Sequence, residues 1–190
     1  MNTRLVTAPV IDPVTLDYVK KHAKIDYDVQ DLLLSLWVKS ATEQIEYVTG
    51  MSLITQTREV SFDVGRFGYP GTPILVPRSP LQSVSSIKIY DTASAETVLP
   101  LTDFDIDTHS IPGRIDLVYG MIWPSTMLRY IRSIVITYVS GFGDTCETVP
   151  PDLRDAILLY CTHRNENRSD ESGDCQGFLN MILRKRLYVR

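Results

Sequence analysis

The most regular feature of the chain is a run of apolar and small residues that recur three and four positions apart between Asp28 and Thr49. Its members are Val29, Leu32, Leu33, Leu36, Trp37, Ser40, Ala41, Gln44, Ile45 and Val48. This spacing predicts one apolar stripe on an amphipathic helix. At 1.5 Å per residue the helix would be about 33 Å long, and Gly50 is a natural left-handed C-terminal cap. A helix of this kind must pack against other helices or bridge subunits.

Further helices are predicted on both sides of a long central region. Residues 1–13 are expected to form an extended arm, after which Thr15 caps a short helix over about 16–22. Pro150 and Pro151 mark the start of a later helix. Its apolar stripe is Leu153, Ala156, Ile157, Tyr160 and Cys161. A polar loop follows, and a last helix then buries Phe178, Leu179, Ile182 and Leu183 within about 176–185.

Short alternating segments fill the central region and predict β-strands. They are residues 55–64, 74–76, 84–90, 104–107, 114–118 and 132–140, with a glycine- and proline-rich loop over 65–73. Because residues 132–140 are apolar on both faces, that strand is expected to be central and covered.

The order of elements predicts an α+β fold. A helical bundle, made of the long N-terminal helix and two C-terminal helices, carries an inserted antiparallel β-sheet of about five or six strands. The predicted limits are a helical bundle over 14–50 and 150–187, a β-rich insertion over 54–140, and one domain over 1–190.

The charge of the chain is unevenly distributed. The net charge is −4, yet the C-terminal segment 184–190 holds four cations and three apolar residues. An acidic body argues against a general nucleic-acid binder. The tail is either a helix end whose cations suit the helix dipole or a docking segment for an acidic partner. No apolar run reaches the roughly 18 residues of a membrane span, and the first ten residues do not resemble a secretory signal, so we expect a cytoplasmic origin and no membrane partner.

No constellation for catalysis, cofactor binding or metal binding is predicted. The three histidines, His22, His109 and His163, are far apart in sequence. The three cysteines, Cys146, Cys161 and Cys175, include no Cys-x-x-Cys pair and are expected to be free thiols. A hydrolase using Cys161 or His163 remains a distant alternative.

Three weaker motifs are interpreted structurally. Gly141-Phe142-Gly143 lacks the rest of a phosphate-binding fingerprint and is predicted to be a turn. Asp103, Asp105 and Asp107 lack the glycine and glutamate of a calcium loop and are expected on one solvent-exposed face. Aromatic residues between 119 and 130 lie near Arg129 and Arg132, as in a base-stacking platform, but Trp123-Pro124 is more typical of a packing anchor.

Several short phrases in a fixed order point to a family. They are Tyr47-Val48-Thr49-Gly50, Leu53-Ile54-Thr55-Gln56-Thr57, Pro77-Arg78-Ser79-Pro80-Leu81-Gln82-Ser83-Val84, Ile122-Trp123-Pro124 and Tyr138-Val139-Ser140-Gly141-Phe142-Gly143. Together with the helical run from Val149 to Arg168, they resemble the head–tail adaptor (connector, head-completion) proteins of long-tailed double-stranded DNA bacteriophages and prophages. Tyr18 and the segments 65–73 and 119–131 depart from this resemblance.

The resemblance implies a structural virion protein without enzymatic activity. Such proteins leave the host cytoplasm to form a ring of about twelve copies in the neck, between the portal and a stopper or tail protein. The ring extends the DNA channel and completes the head, and the genome passes through without sequence recognition. An acidic body suits such a channel because like charges prevent sticking.

The resemblance also implies two contact sites. The C-terminal segment would bind the portal through Arg184, Lys185, Arg186, Leu187, Tyr188 and Arg190. The long helix would contact a neighbouring subunit through Leu33, Trp37 and Gln44. The alternative within the virion is a stopper or tail terminator, which is usually smaller and richer in β-structure.

Overall fold

The computed structural model describes residues 2–64, 73–124, 126–168 and 175–186, and these form two compact units. The helical unit contains residues 9–54 and the described residues from 142 onward. The β unit contains residues 2–8 and the described residues within 55–141. The helices are α1 (Leu16–Ala23), α2 (Asp31–Thr49), α3 (Pro151–Glu166) and α4 (Gln176–Leu183). The strands are β1 (Asn2–Thr7), β2 (Gln56–Phe62), β3 (Ile74–Leu75), β4 (Leu81–Tyr90), β5 (Glu96–Leu99), β6 (Phe104–Asp107), β7 (Arg114–Leu117) and β8 (Ile134–Ser140).

The predicted N-terminal cap of α1 and C-terminal cap of α2 are confirmed. The Thr15 hydroxyl oxygen accepts a hydrogen bond from the Tyr18 N–H at 3.4 Å and caps α1. Gly50 adopts φ 71° after α2, and its N–H donates to the Glu46 carbonyl at 3.1 Å. Glycine suits this position because it has no Cβ to oppose the left-handed conformation. The structure begins α2 at Asp31, three residues later than predicted.

Helix α3 is at the centre of the helical unit, where it contacts α1, α2 and α4. All five residues of its predicted stripe are buried. The ring of Tyr160 lies 5.0 Å from the ring of Phe178 on α4, in a tilted pair that stabilises the packing of these helices. Helix α4 buries Phe178 and Ile182, whereas Leu183 ends the helix and is half exposed.

The predicted apolar stripe of α2 is only partly buried. Ala41 and Ile45 lie in the core as expected, but Leu34 and Val38 also point inward, while Leu32 and Leu36 are exposed. The cause is that α2 is apolar on two adjacent sides. Periodicity alone cannot say which of two apolar sides the neighbouring helices cover.

The β unit contains two antiparallel sheets, where the sequence predicted one. The larger has the order β1-β2-β8-β4-β5 and the smaller the order β3-β7-β6. The predicted central position of β8 is confirmed: Ile136 lies opposite Val60 of β2 and Ile87 of β4. All three side chains are buried in the core of this unit.

Both edge strands of the larger sheet were missed. Residues 2–7, predicted to be part of an extended arm, pair with β2 as strand β1. Three of the four residues of strand β5 are exposed, and its sequence does not alternate between apolar and polar residues. An edge strand has a neighbour on one side only, and its sequence is correspondingly less constrained.

Two buried residues of the β unit are tightly constrained by their neighbours. The buried Tyr138 hydroxyl on β8 donates a hydrogen bond to the Pro77 carbonyl at 2.7 Å. A Cβ atom on Gly113 would lie only 2.5 Å from the Cβ of Leu81. Within the described ranges, no helix combines the length and apolarity that crossing a bilayer requires.

Candidate subunit and partner interfaces

An apolar surface lies at the N-terminal end of α2. It consists of Val29, Leu32 and Leu36, which are 91%, 88% and 60% exposed, and we call it the helix patch. Leu32 and Leu36 lie on one side of successive turns of α2, and Val29 is in the turn that precedes the helix. Single exposed apolar residues are normal, but adjacent ones mark interaction sites.

The segment that leads into the helix patch is acidic and fixed to α1. The Lys20 ammonium forms ion pairs with Asp28 at 2.5 Å and with Asp31 at 2.6 Å. Its hydrogen bond with Asp28 raises the pKa of Lys20 and lowers the pKa of Asp28. Asp26 is exposed in the same segment. Asp26 therefore gives the border of the helix patch its negative charge.

The three predicted subunit-contact residues lie beside this patch. Trp37 is buried in the core of the helical unit, Leu33 packs against that core while partly exposed, and Gln44 is half-buried. Their contact with a neighbouring subunit stays a prediction. The large side chains that α2 exposes at its N-terminal end are Leu32 and Leu36, which lie on the adjacent side of the helix.

A second apolar surface lies in the long connection between β7 and β8. Five side chains in it are 73% to 103% exposed, and we call them the loop patch: Tyr119, Ile122, Met127, Tyr130 and Ile131. This apolar surface was not predicted from the sequence, because loop residues follow no helical or strand period. The available signal was the density of large apolar residues between two strands.

Backbone hydrogen bonds hold the loop patch in place. The Thr92 N–H donates to the Met127 carbonyl at 3.2 Å, and the Val64 N–H donates to the Tyr130 carbonyl at 3.0 Å. The ring of Trp123 lies 5.5 Å from that of Phe104, which agrees with its prediction as a packing anchor. The exposed side chains are thus presented by an anchored backbone.

Arg129 adds positive charge beside the loop patch. Its guanidinium group lies 4.1 Å from the centre of the Tyr90 ring and donates two hydrogen bonds to the Arg132 carbonyl. No carboxylate among the described residues lies within ion-pair distance of Arg129. The neighbouring Arg132, by contrast, forms an ion pair with Glu59 at 2.9 Å. Arg129 therefore retains a charge that an incoming carboxylate can meet.

The basic C-terminal segment is described only in its first half. Arg184, Lys185 and Arg186 are exposed, whereas Leu187, Tyr188 and Arg190 lie outside the described residues. The Lys185 ammonium lies 2.8 Å from the carboxylate of Asp152 in the first turn of α3. Their hydrogen bond lowers the pKa of Asp152. The start of the segment is thus attached to the helical unit, and its binding to the portal stays a prediction.

The residues considered for a hydrolase do not form a reactive centre. Cys161 is fully buried, and burial raises the pKa of its thiol to about 12. A thiol with that pKa supplies almost no thiolate nucleophile near neutrality. His163 follows Cys161 by only two residues on α3, so the two side chains project from different sides of the helix. The parts of the chain that the structure describes contain no group of three or more His, Cys, Asp or Glu side chains placed to hold a metal ion.

Of the three alternating aspartates, Asp107 has the richest contacts. Its carboxylate accepts hydrogen bonds from the Ser110 hydroxyl at 2.5 Å and from the Arg114 guanidinium at 2.8 Å. These bonds hold the pKa of Asp107 well below its usual range. Asp103 precedes strand β6 in a short 3₁₀ turn, so the three residues do not share one strand face as predicted. This cluster closes a turn between β6 and β7.

Residues 13–97 match the profile of the family described as Phage gp6-like head-tail connector protein. The resemblance to phage head–tail connectors is confirmed. With it, the prediction of a structural, non-enzymatic protein is confirmed. The match includes α1, α2 and the strands from β2 into β5.

Solved structures extend the likeness over the whole chain. A chain from the virion of a native gene transfer agent (GTA) particle is 21% identical, with a TM-score of 0.81. Chains from the neck of the empty particle, computed with C6 symmetry, and of the native particle, computed with C12 symmetry, are 20% and 22% identical, with TM-scores of 0.81 and 0.79. Each alignment covers 100% of this chain and 97% of the other. These likenesses establish a shared fold. No curated protein matches the chain.

Proposed function

We propose that this protein is a ring-forming component of a virion neck. It lies between the portal and a stopper or tail protein, extends the DNA channel and completes the filled head. The family match over residues 13–97 carries this proposal. The end-to-end fold likeness to neck chains of the GTA particle supports it, and the C12 symmetry of one of those necks supports a ring of twelve copies.

The surfaces of the chain suit this role. A closed ring of identical subunits requires each copy to offer two different surfaces, one to each neighbour. The helix patch and the loop patch are two apolar surfaces on different units of the chain. The net charge of −4 favours a lumen through which DNA slides without adhering.

Portal docking is assigned to the C-terminal segment. Its described cations are exposed, and Leu187 and Tyr188 supply apolar anchors in the sequence. Arginine forms charge-assisted hydrogen bonds with carboxylates, which suits an acidic pocket on the portal. Twelve such segments acting together turn a modest contact per subunit into firm attachment.

The test is co-sedimentation with the portal protein from the same genome. The full chain is compared with one that ends at Leu183 and with the variant Asp152→Asn, which releases Lys185 but keeps the segment. We expect the full chain and Asp152→Asn to bind and the truncated chain to fail. Failure of the full, folded chain to bind would refute direct portal docking and favour the stopper or terminator hypothesis.

Electron microscopy of the portal-bound fraction then tests the ring. Twelve-fold particles with a central channel are expected, in line with the C12 neck. Single copies bound to separate portal subunits, without contact between them, would contradict ring formation while leaving portal docking intact.

A further inference from the structure

We infer that the helix patch of one copy docks on the loop patch of the next copy, and that this heterologous contact closes the ring. The inference rests on the proposed ring and names the two surfaces that meet. It differs from the sequence prediction for α2, which selected Leu33, Trp37 and Gln44.

Symmetry selects this pairing over the two alternatives. A helix patch that meets another helix patch, or a loop patch that meets another loop patch, forms a two-fold dimer and stops there. Only a contact between unlike surfaces continues from copy to copy and can close at twelve. The helix patch lies in the helical unit and the loop patch in the β unit, so each copy offers two unlike surfaces, as the head-to-tail arrangement requires.

The chemistry of the two surfaces is complementary. Both centres are apolar, with three aliphatic side chains on the helix patch and two aromatic, two branched aliphatic and one methionine side chain on the loop patch. The borders have opposite charge, because the exposed Asp26 precedes the helix patch while Arg129 lies beside the loop patch. A carboxylate of one copy can therefore reach the guanidinium group of the next.

The size of the contact fits a subunit that assembles on a template. If each of the eight side chains loses about 100 Å² of accessible surface, the contact buries about 800 Å², somewhat below the roughly 1,000 Å² expected of a stable pairwise interface. A single contact of this size is weak. Ring closure and portal attachment combine many such contacts, so the assembled ring is held firmly although each contact is weak.

Disulfide trapping tests the pairing directly. The double variant Leu36→Cys with Ile122→Cys is prepared in a Cys146→Ser background, because Cys146 is the one native cysteine that is not buried. Oxidation of portal-bound rings should give a ladder of covalent multimers on non-reducing gels, since each copy carries both halves of the contact. Each single cysteine variant should remain monomeric.

A matched control uses Tyr47→Cys with Ile122→Cys. Tyr47 is an exposed residue near the other end of α2, about 16 Å along the helix from Leu36 at 1.5 Å per residue. This pair should give no ladder. Dimers from a single variant, or a ladder from the control pair alone, would overturn the inference.

Charge reversal gives an independent measurement that also checks folding. Asp26→Arg should weaken the contact about tenfold, a change of about 1.4 kcal/mol, and Asp26→Arg with Arg129→Asp should restore it, with the thermal midpoint of both variants unchanged. Twelve-fold rings without trapping or rescue would reject this pairing while leaving the proposed function intact. Loss of both portal binding and rings in the unmodified chain would reject the proposed function itself. Capture of the loop patch by the tail-side protein, in place of a neighbouring copy, would also overturn the inference.

Discussion

Removing the hydroxyl group of Tyr138 should destabilise the β unit by about 2 kcal/mol. In Tyr138→Phe, the buried Pro77 carbonyl loses the donor that lies 2.7 Å away. Leaving a buried polar group without its partner costs about 1–3 kcal/mol, and little cavity forms because the ring remains. Burial raises the pKa of Tyr138, so the hydroxyl keeps its proton and can donate it in a hydrogen bond at neutral pH.

The two tryptophans allow each unit to be followed separately. Trp123 lies in the β unit and Trp37 in the helical unit. Urea unfolding of Tyr138→Phe in a Trp37→Phe background, followed by Trp123 fluorescence, should show a lower midpoint. At about 2–4 °C per kcal/mol for a chain of this length, the thermal midpoint should fall by about 4–8 °C.

Tyr160→Phe is the matched control for this experiment. Tyr160 is also buried, but its hydroxyl lies 3.4 Å from the Ser40 hydroxyl oxygen, at the limit of a hydrogen bond. Its removal should cost less than about 0.5 kcal/mol, measured by Trp37 fluorescence in a Trp123→Phe background. Equal losses for the two tyrosines would refute the argument that the Tyr138–Pro77 bond stabilises the β unit.

Three further predictions concern packing, protonation and thiol reactivity. Gly113→Ala should cost about 3 kcal/mol in urea unfolding, because its Cβ would overlap that of Leu81; a loss under about 0.5 kcal/mol would show that the turn relaxes freely. The lowered pKa of Asp107 means that its stabilisation is present above pH of about 4 and is lost as the pH falls further. The difference between the unfolding midpoints at pH 7 and pH 3 should therefore be smaller in Asp107→Asn than in the unmodified protein. An unchanged difference would contradict this. At pH 8, Ellman's reagent should label Cys146 in the folded protein at least about a hundredfold faster than Cys161, whose thiol is buried with a pKa of about 12; equal rates would show that the core opens readily.

The sequence predicted best those elements that bury a single apolar face. The stripe of α3 was predicted residue for residue because three helices contact α3 and leave one polar face outward. Strand β6 was predicted at its observed limits, Phe104–Asp107. Where an element has a single apolar face, the spacing of its apolar residues identifies the positions that are buried.

The parts that the sequence missed depend on neighbours that local patterns do not encode. Helix α2 is apolar on two sides, so the pattern predicted the inward positions of Ala41 and Ile45 but not the exposure of Leu32 and Leu36. The edge strand β1 is specified by its pairing with β2 more than by its own alternation. Of the two surfaces proposed to meet in the ring, one was predicted as part of the α2 stripe, which was expected to pack against helices or bridge subunits, and the other was not predicted as an apolar surface. In the proposed ring, a neighbouring copy covers both of them.

The interrupted course of the chain has a consequence for biosynthesis. The backbone passes between the two units after residues 8, 54 and 141, so the β unit is complete once β8 has been made, while the helical unit still awaits α3 and α4. During translation, α1 and α2 therefore leave the ribosome with the apolar side that α3 will cover still open to solvent. Because domains fold as units during synthesis, the β unit can form first. The last helices then decide when a subunit becomes competent for assembly.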